Sequence, residues 1–135
     1  MTNENQKPLI LIVDDEVDLC DTMSLTFNIR GFEVISAYGG NEAIEILKKK
    51  SVDILLSDVR MANGSGLELV RWVRQSNMQI PVIAFMSGFS DITPQEITKL
   101  GVTLFFDKPF PVNNVIKAIR DELEVLEKRS LDSSK

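Results

Sequence analysis

The sequence predicts one doubly wound α/β domain, a five-stranded parallel sheet with five helices on its two faces, and three observations carry that prediction. Short apolar runs recur that end at once in polar residues: Leu9 to Val13 before Asp14-Asp15-Glu16, Ile54-Leu55-Leu56 before Ser57-Asp58, Val82 to Met86 before Ser87-Gly88, and Leu104 to Phe106 before Asp107-Lys108. Such runs lack alternation and suit strands buried on both faces. Segments of helical period separate them, and parallel strands require crossover connections of that kind. Finally, 135 residues with 44% apolar content are enough for one core and too few for two.

Taken in order, residues 1–7 read as a flexible arm, and Leu9 opens the first strand. Leu19, Cys20, Met23 and Phe27 share one face of a first helix closed near Gly31. Val34 to Ala37 is a weaker strand, expected at a sheet edge. A second helix over about 41–50 buries Ala43, Ile44 and Leu47, and its Lys48-Lys49-Lys50 run suits the negative end of a helix. The third, about 66–77, turns Leu67, Val70 and Val73 inward. Thr93-Pro94-Gln95-Glu96 combines an N-cap, a first-turn proline and a capping-box glutamate, a strong start for the fourth. The fifth, about 112–128, carries the stripe Val112, Ile116, Ile119, Leu123 and Leu126, mainly core packing with weak self-association at its last turn as the lesser reading. Residues 8–128 are thus the domain and 129–135 a frayed tail.

Composition narrows the chemistry. Histidine is absent, which removes Ser-His and Cys-His nucleophile pairs, imidazole-ligated zinc and a phosphohistidine carried on this chain. A net charge of -5 offers no basic footprint for nucleic acid. The single cysteine, Cys20, falls on an apolar helix face and reads as inert core. Neither a signal sequence nor a membrane-length apolar run is present, so a soluble, cytoplasmic protein is expected.

Sites in open α/β sheets lie beyond the carboxyl ends of the strands, where the strand order reverses. For an order of 2-1-3-4-5, Asp14 and Asp15 would stand beside Asp58, with the Ser87 hydroxyl and the Lys108 ammonium on the next strand ends. Like charges gathered in a half-buried place require a compensating cation, and Mg2+ prefers such oxygen ligands. Acids, hydroxyl and lysine together meet the needs of phosphoryl transfer. Taken singly, each has a blander reading: Asp-Asp-Glu as a helix cap, Asp58 as an ordinary strand end, Lys108-Pro109 as a turn. Their convergence on one sheet edge favours the site.

These residues resemble the receiver domain of two-component response regulators. The resemblance spans about residues 8–128 and rests on Val13-Asp14-Asp15-Glu16, on Ser57-Asp58-Val59-Arg60-Met61 continuing to Gly66-Leu67-Glu68-Leu69, on Met86-Ser87-Gly88 and on Asp107-Lys108-Pro109-Phe110. It implies the flavodoxin-like order 2-1-3-4-5 of a stand-alone, chemotaxis-receiver-like domain. By the same resemblance Asp58 is the phosphoacceptor, Asp15, Asp58 and the Arg60 carbonyl hold Mg2+, and Asp14 acts on it through a water. Lys108 neutralises a phosphoryl oxygen, Ser87 and Phe105 form the switch pair, and the Lys108-Pro109 bond is cis. Arg60 and Phe89, two residues past Asp58 and Ser87, would tune the phosphoryl lifetime.

A histidine kinase or phosphotransfer protein would be the donor and a separate effector the output, the chain itself a monomer or weak dimer without nucleic-acid or membrane partners. Four departures from the family pattern stand out. Ala62 replaces a usual proline before a less acidic Asn63-Gly64-Ser65 turn, so that loop is expected to be looser. The Ser87 to Lys108 spacing is one residue short, trimming the fourth helix or its entry. Phe105 replaces a frequent tyrosine, and Val102-Thr103-Leu104 lacks the acidic pair of a charged dimer face. Two other functions compete: a phosphate-independent interaction module of the same shape, and an Mg-dependent aspartyl phosphatase, whose second aspartate belongs two residues after the first.

Overall fold

The computed structural model describes residues 6–88 and 92–133. The chain runs β1 (Leu9–Val13), α1 (Val17–Ile29), β2 (Glu33–Ala37), α2 (Gly40–Leu47), β3 (Ile54–Asp58), α3 (Gly66–Gln75), β4 (Val82–Ser87), α4 (Pro94–Leu100), β5 (Leu104–Asp107) and α5 (Val112–Ser133). All strands are parallel, in the order β2-β1-β3-β4-β5. This is the doubly wound, flavodoxin-like fold expected from the sequence.

Alternate residues of the central strands feed two cores. Leu9, Leu11 and Val13 of β1 face Ala43, Leu47, Leu69, Val70 and Val73 of α2 and α3, whereas Ile10 and Ile12 face Cys20, Met23 and Phe27 of α1 and Val115, Ile116 and Ile119 of α5. Burial on both faces is why these strands carry unbroken apolar runs. The outer strands β2 and β5 are half-buried over most of their length, β5 more so than its apolar run suggested. Cys20 is fully buried, its thiol pKa pushed up by burial, and its Sγ lies 3.7 Å from the Ile12 carbonyl oxygen.

Several helix expectations need correction. In α3 the apolar side chain buried in the first turn is that of Leu69, with Leu67 only half-buried. Val115 joins the α5 core face. Helix α2 ends at Leu47, so the three lysines follow it. Helix α5 continues through residues 129–133, where a tail was expected, because neither glycine nor proline interrupts Val112 to Ser133. No helix among the described residues is long and apolar enough to cross a membrane.

Helix α4 is the most lightly held of the helices. It spans only Pro94–Leu100 and has no fully buried residue. The Thr93 hydroxyl caps its start, accepting from the Glu96 N–H at 3.1 Å. Its other end stops at Gly101, whose φ of 72° is left-handed, and there the Arg74 guanidinium of α3 donates to the Leu100 and Gly101 carbonyl oxygens at 2.7 and 2.9 Å. A Cβ at Gly101 would run into that guanidinium. Arg74→Ala is therefore expected to speed amide exchange over Ile97 to Leu100 while lowering global stability by less than about 1 kcal/mol, since both bonds are exposed. Exchange by mass spectrometry together with a denaturant melt checks it.

Candidate functional site

Strand register assembles the site. Val13 pairs with Ser57, Asp58 with Met86 and Ser87 with Asp107, so Asp14, Asp58, Ser87 and Lys108 emerge together at the carboxyl edge of β1, β3, β4 and β5. Asp14 and Asp58 are 0% and 7% exposed, and Ser87 is buried as well. Backbone contacts bind the edge: the Asp14 N–H donates to the Ala37 carbonyl oxygen at 3.1 Å and the Lys108 N–H to that of Ser87 at 2.8 Å. The Lys108-Pro109 bond is cis.

The Lys108 ammonium lies among three carboxylates. It donates to Asp14 Oδ2 at 2.7 Å, to Asp58 Oδ2 at 3.2 Å and to Glu16 Oε1 at 3.2 Å. Burial pushes the Asp58 pKa up, against the pull of the Lys108 charge and with the Asp14 charge adding to the rise. Burial acts on Lys108 in the opposite sense, but its bond to Asp14 and the charges of Asp14 and Asp58 outweigh it and raise its pKa. Lys108 is thus a permanent cation at physiological pH.

Ligand atoms of Asp14, Glu16 and Asp58 lie within 4.8 Å of one another. The carboxylates expected together were Asp14, Asp15 and Asp58. Asp15 instead accepts the Ala62 N–H at 3.1 Å from an exposed position, and Glu16 takes its place in the group. The Asp-Asp-Glu run contained that signal, but a strand end alternates sides and does not say which acid turns inward. The two buried carboxylates of that group, Asp14 and Asp58, offer hard oxygens of the kind that Mg2+ prefers.

The loop after Asp58 is anchored, contrary to the looser turn expected. The first N–H groups of α2, on Gly40 and Asn41, donate to the Gly64 and Asn63 carbonyl oxygens at 2.9 and 3.1 Å. The loop thereby caps a helix whose N-cap, Gly39, offers no side chain. Gly66 opens α3 against the Asp58 backbone, and a Cβ there would overlap the Asp58 carbonyl oxygen. Arg60 follows on the exposed side, its N–H pointing to Asp58 Oδ1 at 3.4 Å. Phe105, half-buried, packs against the core on the α2, α3 and α4 side, while Phe89 lies outside the described residues. A cleft of about 390 Å³ opens beside the site, lined by Glu16, Leu19, Gly88, Lys108, Pro109 and Phe110.

Residues 10–120 match the response regulator receiver domain. The chain belongs to that family. It is similar to the chemotaxis response regulator CheY4 of Vibrio cholerae, with 30% identity and a TM-score of 0.78 over 87% of this chain and 99% of that one. It is also similar to a response regulator receiver protein from Pseudomonas putida, with 29% identity and a TM-score of 0.78 over 86% of this chain and 98% of that one. A CheY-like receiver domain from Methanospirillum hungatei JF-1, 20% identical, shares the fold at a TM-score of 0.80 over 92% and 99% of the two chains. Receiver domains are signalling modules of two-component systems that bind Mg2+ in an acidic pocket and interact with histidine kinases or phosphotransfer proteins and with downstream effectors.

The electrostatics of this receiver domain have a measurable consequence. Because the Asp58 carboxyl titrates above its unfolded value, the folded chain holds that proton more tightly, and this contribution to stability declines as pH rises through the carboxylate range and beyond. Asp58→Asn removes the like-charge contact with Asp14, and a stability gain of about 1 kcal/mol at pH 7 is expected. The gain should vanish below about pH 4, where Asp58 is protonated. Urea melts of both proteins across that range check the sign.

Proposed function

We propose that Asp58 is the phosphoacceptor of this receiver and that its phosphorylation switches the face formed by α4, β5 and α5. The observation that carries the reading is a buried carboxylate at the end of β3, 3.2 Å from the ammonium of Lys108, which itself lines an open cleft. Its raised pKa marks a carboxylate poorly solvated and so available as a nucleophile once ionised.

A lone pair of an Asp58 carboxylate oxygen attacks the phosphorus of a phosphohistidine on a donor protein. The O–P bond forms as the P–N bond breaks, and the imidazole nitrogen leaves with the bonding pair and takes a proton from water. Lys108 neutralises a phosphoryl oxygen. The Ser87 hydroxyl donates to another, and Phe105 turns into the space that the hydroxyl vacates. Asp15, Asp58 and the Arg60 carbonyl would hold Mg2+, with Asp14 acting through a water; when bound, the ion supplies positive charge for the transferring group. Hydrolysis later returns the carboxylate and releases inorganic phosphate, at a rate that Arg60 and Phe89 tune.

The switch is a population shift: phosphorylation favours whichever conformer offers the phosphoryl group more bonds. A lightly held α4 suits that role. The donor is a histidine kinase or phosphotransfer protein in the cytoplasm, and the output is a separate effector.

Incubation with Mg2+ and acetyl phosphate, read by intact mass, is expected to add one phosphoryl group, lost in Asp58→Asn and in metal-free samples. No gain under any condition would favour a phosphate-independent interaction module. In the phosphorylated protein, Arg60→Ala is expected to change the dephosphorylation rate severalfold with the fold intact; an unchanged rate would overturn that role for Arg60.

A further inference from the structure

The reading of Asp58 as phosphoacceptor leaves the role of Glu16 open. Glu16 occupies the N-cap position of α1, yet its side chain accepts no capping bond there. Its backbone N–H donates to Asp14 Oδ1 at 2.9 Å, and its carboxylate, 65% exposed, turns across the cleft mouth to Lys108.

An ammonium has three N–H donors. On Lys108, carboxylates of Asp14, Glu16 and Asp58 take them at 2.7, 3.2 and 3.2 Å. A phosphoryl oxygen can bond Lys108 only if one acceptor lets go. Asp14 is fully buried, and its release would leave a charge without its partner or water. Asp58 is the nucleophile and stays with the group it receives. Glu16 is the exposed member, and its carboxylate returns to water at little cost.

We infer that Glu16 is a positioning residue that occupies, in the resting state, the Lys108 donor later taken by the phosphoryl group. This inference rests on the proposed phosphoacceptor role of Asp58. Glu16 orients the lysine toward the cleft before the donor arrives, and it competes with the incoming anion for the same N–H. Its departure accompanies phosphorylation.

The test measures the rate of Asp58 phosphorylation against acetyl phosphate concentration, with Mg2+ affinity by calorimetry, in wild type, Glu16→Gln, Glu16→Asp and Glu124→Gln, the last removing an equal charge from exposed α5. Glu16→Gln is expected to lower the half-saturating acetyl phosphate about two- to fivefold, the range an exposed ion pair supports. The plateau rate and Mg2+ affinity should hold, and Glu16→Asp should fall back toward wild type. An unshifted Glu16→Gln, an equal shift in Glu124→Gln, or a Glu16→Gln protein with weakened Mg2+ binding would each overturn the inference, the last by making Glu16 a cation ligand. Wild type that gains no phosphoryl group would overturn the phosphoacceptor reading and this inference with it, whereas labelled wild type with an unshifted variant overturns the inference alone.

Discussion

Asp14 and Asp58 leave the chain at neighbouring strand ends and are both withdrawn from water, an arrangement that carries a repulsive cost unless a cation stands between them. Lys108 supplies it from β5, bonded to both at 2.7 and 3.2 Å. The rest of the site depends on that ion cluster. It requires β1, β3, β4 and β5 to end in step, which their register achieves, and it requires the chain after β5 to carry its first polar side chain back over the sheet edge. The same cluster leaves Asp58 with a raised pKa and a cation 3.2 Å from its carboxylate.

Around this cluster, rigidity and looseness are divided. The loop after Asp58 is locked by main-chain bonds to the start of α2, and Gly66 lets α3 begin in contact with the Asp58 backbone. The proposed role of Asp58 as nucleophile needs such a frame, because a small displacement would separate it from the ammonium. Helix α4, by contrast, has no fully buried side chain and is joined to α3 through Arg74 at its last carbonyls. The loop at the site is bound by backbone, and α4 by a few exposed contacts.

Much of the fold was legible because its signals are local. Unbroken apolar strands, a capped start at Thr93 and the stripe along α5 follow from burial and helix geometry over a few residues. Less legible were contacts that depend on neighbours distant in sequence. The Asn63-Gly64-Ser65 turn read as loose because nothing within it is rigid; its partners are Gly40 and Asn41, on another element. The inward burial of Leu69 and Val115 likewise follows from the precise rotation of each helix against the sheet, which a sequence period leaves uncertain by about one residue.

By itself, the sequence determined the parallel α/β class, the strand ends that carry the acids, hydroxyl and lysine, and the family whose motifs they match. Only the tertiary structure decided which acids face the lysine. Asp15 turns to a backbone N–H, and Glu16 joins Asp14 and Asp58. Adjacent residues at a strand end differ in direction, not in chemistry, and direction is set by packing across strands that are tens of residues apart in the chain.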